Sequence, residues 1–171
     1  MKTIRKFSLV LLSMVLLFTL TSCGGTGAVS VDAAKVEKSV LSVMNTALGT
    51  DFTNDESLRS KADYIWDKVD KNGRIFWTQS IYSPEGENGE MFWVEPIYDS
   101  DTFGEDSKFQ LTAFTEEELK KYENPSKELL AQIKQKIGPA DNYAKLTSLC
   151  VTARNIGGKV YVVYVRELRN K

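Results

Sequence analysis

The sequence predicts an α+β domain: an antiparallel sheet of about five strands with helices packed on one face. Two observations carry this. Strand-like segments come in adjacent pairs joined by short turn-rich links, 74–82 with 91–98 and 146–154 with 160–168, and short links between neighbouring strands impose antiparallel pairing. Segments with apolar residues at helical spacing flank these pairs and must bury one stripe against them.

The elements follow in order as α-α-β-β-β-α-α-β-β. Val36, Val40, Val43 and Ala47 recur at helical spacing over 32–48, and Gly49 suits the position just past a helix end. Thr53-Asn54-Asp55-Glu56 has the pattern of a capping box and opens a second helix through Leu58, Ala62, Ile65 and Val69, stopping at Asn72-Gly73. Arg74 to Tyr82 and Met91 to Tyr98 are rich in aromatic and β-branched residues, with the hairpin link SPEGENGE between them. Pro96 cannot donate to a ladder, which places the second of these strands at an edge or a bulge. An acidic loop over 99–107 leads to a third strand, 108–114. Thr115 to Glu118 caps a short helix. Asn124-Pro125 starts another, with Leu129, Leu130, Ile133 and Ile137 on its apolar side and Gly138-Pro139 ending it. The closing hairpin turns at NIGGK. No internal repeat or second domain is visible.

The first residues carry a different message. Lys2, Arg5 and Lys6 precede an uncharged, mostly apolar run from Phe7 to Leu20, a length that suits a secretory leader better than a membrane-spanning helix. Small residues then lead into Cys23. Leu20-Thr21-Ser22-Cys23 resembles the lipobox of bacterial lipoproteins. The resemblance covers the first 23 residues or so and implies that 1–22 are cleaved as a signal peptide, that the Cys23 thiol carries diacylglycerol, and that the new N-terminus is often acylated (for example with palmitate). Residues 23–31 then form a flexible tether to a single domain over 32–171. Two or three acyl chains would hold that domain durably at a membrane, facing outside the cytoplasm. In a Gram-negative envelope this means the outer membrane or periplasm, and in a Gram-positive one the outer face of the cytoplasmic membrane.

Composition excludes several chemistries. The chain has no histidine, which removes Ser-His and Cys-His nucleophile pairs, histidine zinc sites and histidine pH switches. Its net charge of −1 becomes about −4 once Lys2, Arg5 and Lys6 leave with the leader, so no nucleic-acid partner is expected. With Cys23 lipidated, Cys150 has no partner within the chain. It sits in an apolar strand and reads as a small buried hydrophobe.

Two stretches imitate calcium loops. In DKVDKNGRIFWTQ, Asp70, Asn72, Gly73 and Ile75 fall in register, but Lys68 and Gln79 occupy positions that require carboxylates, so the stretch reads as a helix stop leading into a strand. In DSDTFGEDSKFQ, Asp99, Asp101 and Gly104 match while Phe103 and Gln110 do not; a weak cation site made with Glu105 and Asp106 is the alternative, and a solvated acidic loop is the better reading. Neither a metal nor a cofactor is expected. No Ser-x-x-Lys spacing occurs. Glu87 with Glu90, or Asp99 with Asp101, are the carboxylate pairs that could do acid–base work.

The aromatic hairpin is the most informative feature. If strands 74–82 and 91–98 pair around loop 83–89, Trp77 and Trp93 share one face with Ile75, Ile81, Met91 and Ile97, and Phe76, Tyr82, Phe92 and Tyr98 share the other. Either both faces are packed, or one presents an aromatic surface or cleft that binds something. The expected function is a non-enzymatic, membrane-anchored lipoprotein that binds a protein partner in the envelope, as an accessory or inhibitor subunit. The alternatives are a lipoprotein that binds a small molecule, lipid or glycan, and an envelope hydrolase using carboxylates.

Overall fold

The structure of the protein, a computed structural model, describes residues 31–103, 107–138 and 144–171, with the backbone alone over 99–103. The expected leader, Cys23 and the tether up to residue 30 lie outside the described residues, as do Gly104, Glu105 and Asp106 and the side chains of Asp99 and Asp101.

The fold is α+β with antiparallel strands throughout, in the order α1 (Ala33–Leu48), a 3₁₀ helix (Glu56–Ala62), α2 (Asp63–Trp66), β1 (Arg74–Phe76), a 3₁₀ turn (Trp77–Gln79), β2 (Met91–Pro96), β3 (Tyr98–Phe103), β4 (Lys108–Leu111), α3 (Glu116–Glu123), α4 (Lys127–Ile137), β5 (Ala144–Ile156) and β6 (Lys159–Asn170). The strands divide into two three-stranded sheets, ordered β2-β6-β5 and β1-β4-β3. Ile97 links them: its N–H donates to Val162 of β6, and its carbonyl accepts from Thr112 just past β4.

The long β5–β6 hairpin is the frame, and its alternation sorts the core into two. Leu149, Val151, Val160, Val162 and Tyr164 face α1, α3 and α4, meeting Val36, Val40, Val43, Leu119 and Ile137. Cys150, Tyr161, Val163 and Val165 face the other way, against Leu58, Ile65 and Trp66 and against Ile75, Phe109 and Leu111 of the small sheet. The three longer helices therefore lie on one face of the β2-β6-β5 sheet. The 3₁₀ helix, α2 and the second sheet cover the other. A bulge at Thr147 shifts the register between Leu146 and Ser148, so Leu146 and Leu149 share a face despite their odd spacing.

Several boundaries differ from the sequence reading for identifiable reasons. The second helix is a 3₁₀ helix and a single turn of α-helix, and its cap is Asp55, whose carboxylate accepts from Ser57 N–H at 3.0 Å. Asn54, inside the expected capping box, is engaged elsewhere: its amide binds both backbone groups of Val151 on the edge of β5, at 2.7 and 2.9 Å. The last long helix is capped by Ser126, with Pro125 outside it. The expected strand 74–82 stops at Phe76, because both the N–H and the hydroxyl of Ser80 turn back to the Trp77 carbonyl. What remains, β1, pairs with β4. β2 is an edge strand paired with β6, and its outer side meets residues 82–86 through bridges at Tyr82–Val94 and Glu85–Met91.

Candidate binding surface

The expected aromatic hairpin is therefore not a regular two-stranded unit, and its residues are dispersed. Phe92 is buried under Lys61, whose amine lies 4.0 Å from the ring centroid. Trp93 points to the opposite face and packs with Ala144, Leu146 and Leu168 beside Phe52. Tyr98 stacks at a tilt on Phe109, centroids 4.3 Å apart. Trp77 and Trp93 do not share a face, since the 3₁₀ turn after Phe76 breaks the alternation on which that register depended.

Three of the six residues lie close together in the chain, around and just past one 3₁₀ turn. Phe76 is 43% exposed and Trp77 55%, the latter held by its N–H donating to Ser107 O at 3.1 Å. Ile81, 44% exposed, follows the turn, and Tyr82 is half-buried beside it. Tyr64 of α2 stacks face to face on Tyr82, centroids 3.9 Å apart and rings within 14° of parallel, and is itself 40% exposed. Tyr64 was missed in the sequence because it lies off the apolar stripe of Leu58, Ala62 and Ile65. An aromatic on the polar side of a buried helix was the available signal.

The rim is cationic and partly neutralised. Lys68 reaches over Tyr64 with its amine 5.7 Å from the ring centroid, and Lys108 lies 4.7 Å from that of Phe76 while pairing with Asp70 at 3.2 Å. Asp70 is a turn residue: its Oδ1 accepts from Asn72 and Arg74 N–H. Desolvation works against ionisation there, but these two hydrogen bonds and Lys108 together leave its pKa lowered.

The remaining candidates have structural employment. Cys150 is fully buried, and burial pushes its thiol up to about 12, far from a reactive thiolate. Glu90 is buried and closes its own loop, accepting from Asn88 N–H at 3.0 Å and pairing with Arg169 at 3.3 Å. Backbone donors, its own N–H first and then that of Asn88, lower its pKa, whereas a general acid needs a raised one. Glu87 is exposed. Among the described residues no group of three or more carboxylates or cysteines could hold a metal ion, and no helix is long and apolar enough to cross a membrane.

Compared with protein-family models, with curated proteins and with solved structures, the chain shows no match.

Proposed function

We propose that this protein is a bacterial lipoprotein, anchored through Cys23 outside the cytoplasm, whose domain is a non-enzymatic binding module for a protein partner in the cell envelope. The docking surface in this reading is the corner formed by Tyr64, Phe76, Trp77 and Ile81. The observation that supports it most is the clustering: these four are the large apolar side chains left exposed among the described residues, and three of them lie within six residues of one another around a single 3₁₀ turn. Single exposed apolar residues need no explanation, but three around one turn, followed in the chain by Tyr82 with Tyr64 stacked on it, call for one. Exposed Trp and Tyr are also the residues that most often anchor protein interfaces. A three-layer α+β scaffold with both faces of its main sheet packed would hold such a corner in place.

The test has two arms. Cys23→Ala should abolish incorporation of labelled fatty acid and block normal processing, and continued labelling of the variant would remove the anchor from the reading. Affinity capture from mildly cross-linked membranes should recover a stoichiometric protein with the wild type and lose it with Phe76→Ser/Trp77→Ser. Both side chains are exposed, so the variant should keep its circular dichroism spectrum. Equal capture by the two proteins would refute the corner as the interface.

A further inference from the structure

The chain contains two Asn-Gly pairs, Asn72-Gly73 and Asn88-Gly89. Such a pair carries its own reaction. The backbone nitrogen of the glycine can close a five-membered ring on the side-chain amide carbon of the asparagine, and glycine has no Cβ to shield that nitrogen. Both asparagines are exposed, so neither dipeptide sequence nor exposure of the asparagine separates the two. The backbone around each glycine does. Gly73 is buried against the Tyr161 ring, its N–H donates to Asp70 O at 2.9 Å, and its carbonyl accepts from Leu111 N–H at 2.9 Å. Asn72 is held as well, its N–H donating to Asp70 Oδ1 at 2.9 Å and its carbonyl accepting from Tyr161 OH. Gly89 is exposed with nothing within 4 Å of its Cβ position, and its N–H reaches Gly86 O only at 3.4 Å, beyond the usual range for such a bond. Turning the Gly89 peptide toward the Asn88 side chain breaks that weak bond. The same turn at Gly73 breaks a core contact.

Asn88 also sits on a latch. The buried Glu90 carboxylate accepts from Asn88 N–H at 3.0 Å and pairs with Arg169 at 3.3 Å. Gly86 passes so close to it that a Cβ there would overlap Glu90 Oε2, and Gly86 N–H donates to Glu90 O at 2.7 Å. The side-chain amide of Asn88 adds to the donors that favour the ionised Glu90. The stretch closed by this latch covers the outer edge of β2, where Phe92 N–H donates to Pro84 O at 3.1 Å.

We propose that Asn88 is a site of spontaneous covalent modification, deamidation through a succinimide shared with Gly89, and that the modification loosens the Glu90 latch over β2. The Gly89 nitrogen loses its proton and bonds to Asn88 Cγ, the Cγ–Nδ2 bond breaks, and the leaving nitrogen takes up a proton from solvent and departs as ammonia. Water then opens the ring at either carbonyl. Breaking the bond from the Gly89 nitrogen to Cγ gives aspartate at position 88. Breaking its bond to the backbone carbonyl gives isoaspartate, which routes the chain through Cγ and lengthens it by one carbon. Both products replace an amide beside Glu90 with a second carboxylate, and like charges at that distance repel. The isoaspartate also changes the length of the segment that Glu90 must span. This site is separate from the aromatic corner and does not depend on it.

The test is to age the protein in mildly alkaline buffer, folded and, in parallel, unfolded in urea, and to map both by proteolysis and mass spectrometry with fragmentation that distinguishes isoaspartate. Unfolded, the two Asn-Gly pairs should react at similar rates. Folded, Asn88 should react at least about tenfold faster than Asn72, the factor imposed by about 1.4 kcal/mol of local opening at Gly73. Asn88→Gln should remove the products at that position. Asn88→Asp reproduces one product and reports on the latch: hydrogen exchange at the Gly86 and Phe92 amides should speed about three- to tenfold, the scale of one hydrogen bond, while exchange at Gly73 stays as in wild type. Equal rates at the two pairs in the folded protein, no product at Asn88, or unchanged exchange at Gly86 and Phe92 in Asn88→Asp would each overturn the proposal.

Discussion

At the scale of single residues, Gly73 shows how one position ties a turn to the core. Its φ is +74°, and a Cβ built there would lie 2.2 Å from Cζ of Tyr161, whose hydroxyl donates to Asn72 O. Two costs would therefore add in Gly73→Ala: the left-handed backbone, about 1–2 kcal/mol for a residue with a Cβ, and displacement of a buried ring, about 1–3 kcal/mol. Gly89 separates them, because its φ is +80° and nothing lies within 4 Å of its Cβ position. Urea unfolding should show Gly89→Ala losing about 1–2 kcal/mol and Gly73→Ala clearly more. Equal losses would mean that the Tyr161 ring moves aside freely. The Asn72-Gly73 pair could be read in the sequence as a helix stop. That it also receives Tyr161 from the distant β6 could not, because nothing local encodes a contact with a residue 88 positions beyond Gly73.

At the scale of elements, the edge of β5 is closed without another strand. Asn54 binds both backbone groups of Val151, Asp55 N–H donates to Leu149 O, and Glu37 accepts from Ala153 N–H at 2.7 Å. An open edge thirteen residues long would invite pairing with another chain. Asn54→Ala should cost about 1–3 kcal/mol, the penalty for stranding a donor and an acceptor, and should speed hydrogen exchange at Val151. Unchanged exchange there would show that the amide clamp does not hold the edge. The neighbouring Asp55 makes this junction sensitive to acid. Hydrogen bonds from Ser148 and then Ser57 lower its pKa in the folded state, so it contributes stability above the ordinary aspartate value of about 4, lost as pH falls through the folded value. Acidification below pH about 4 should destabilise wild type more steeply than Asp55→Asn. Parallel acid limbs would assign the loss to other carboxylates. Local sequence made α1, α3, α4 and the closing hairpin legible through periodicity and turn chemistry. It was only partly right over 53–82, where a helix and a strand form but particular hydrogen bonds set their bounds: Asn54 serves the distant β5 instead of capping a helix, and Ser80 turns the chain back on Trp77 in a local 3₁₀ turn where aromatic residues suggested a continuing strand. Phe76, Trp77 and Tyr82 were legible as candidates, but not their separation from Trp93, which depended on that turn.

At the scale of the whole molecule, the β2-β6-β5 sheet is buried on both faces, and a buried ion pair joins three elements. Arg166 on β6 reaches Glu95 on β2 and the last carbonyls of α4, with side-chain exposures of 8% for the arginine and 12% for the glutamate. A guanidinium at a helix C-terminus meets both the unpaired carbonyls and the negative end of the helix dipole. The pair is thus a tie between the helical layer and the sheet. Its net contribution is small, because desolvation of the charges offsets their attraction. Breaking it from one side is costly, since Glu95→Ala leaves Arg166 charged and buried and deprives Tyr164 of its acceptor. That variant should lose about 3–5 kcal/mol. Replacing the set together, as Glu95→Leu/Arg166→Met/Tyr164→Phe, removes the charges along with the buried hydroxyl and should recover most of the loss. It leaves the Lys136 and Ile137 carbonyls without this donor, so a residual deficit of about 1–3 kcal/mol is expected. Chemical denaturation of the three proteins measures both steps. If the triple variant is no more stable than Glu95→Ala, the ion pair is itself a net source of stability, and the docking of α4 on the sheet depends on charge as well as on the apolar contacts of Ile137.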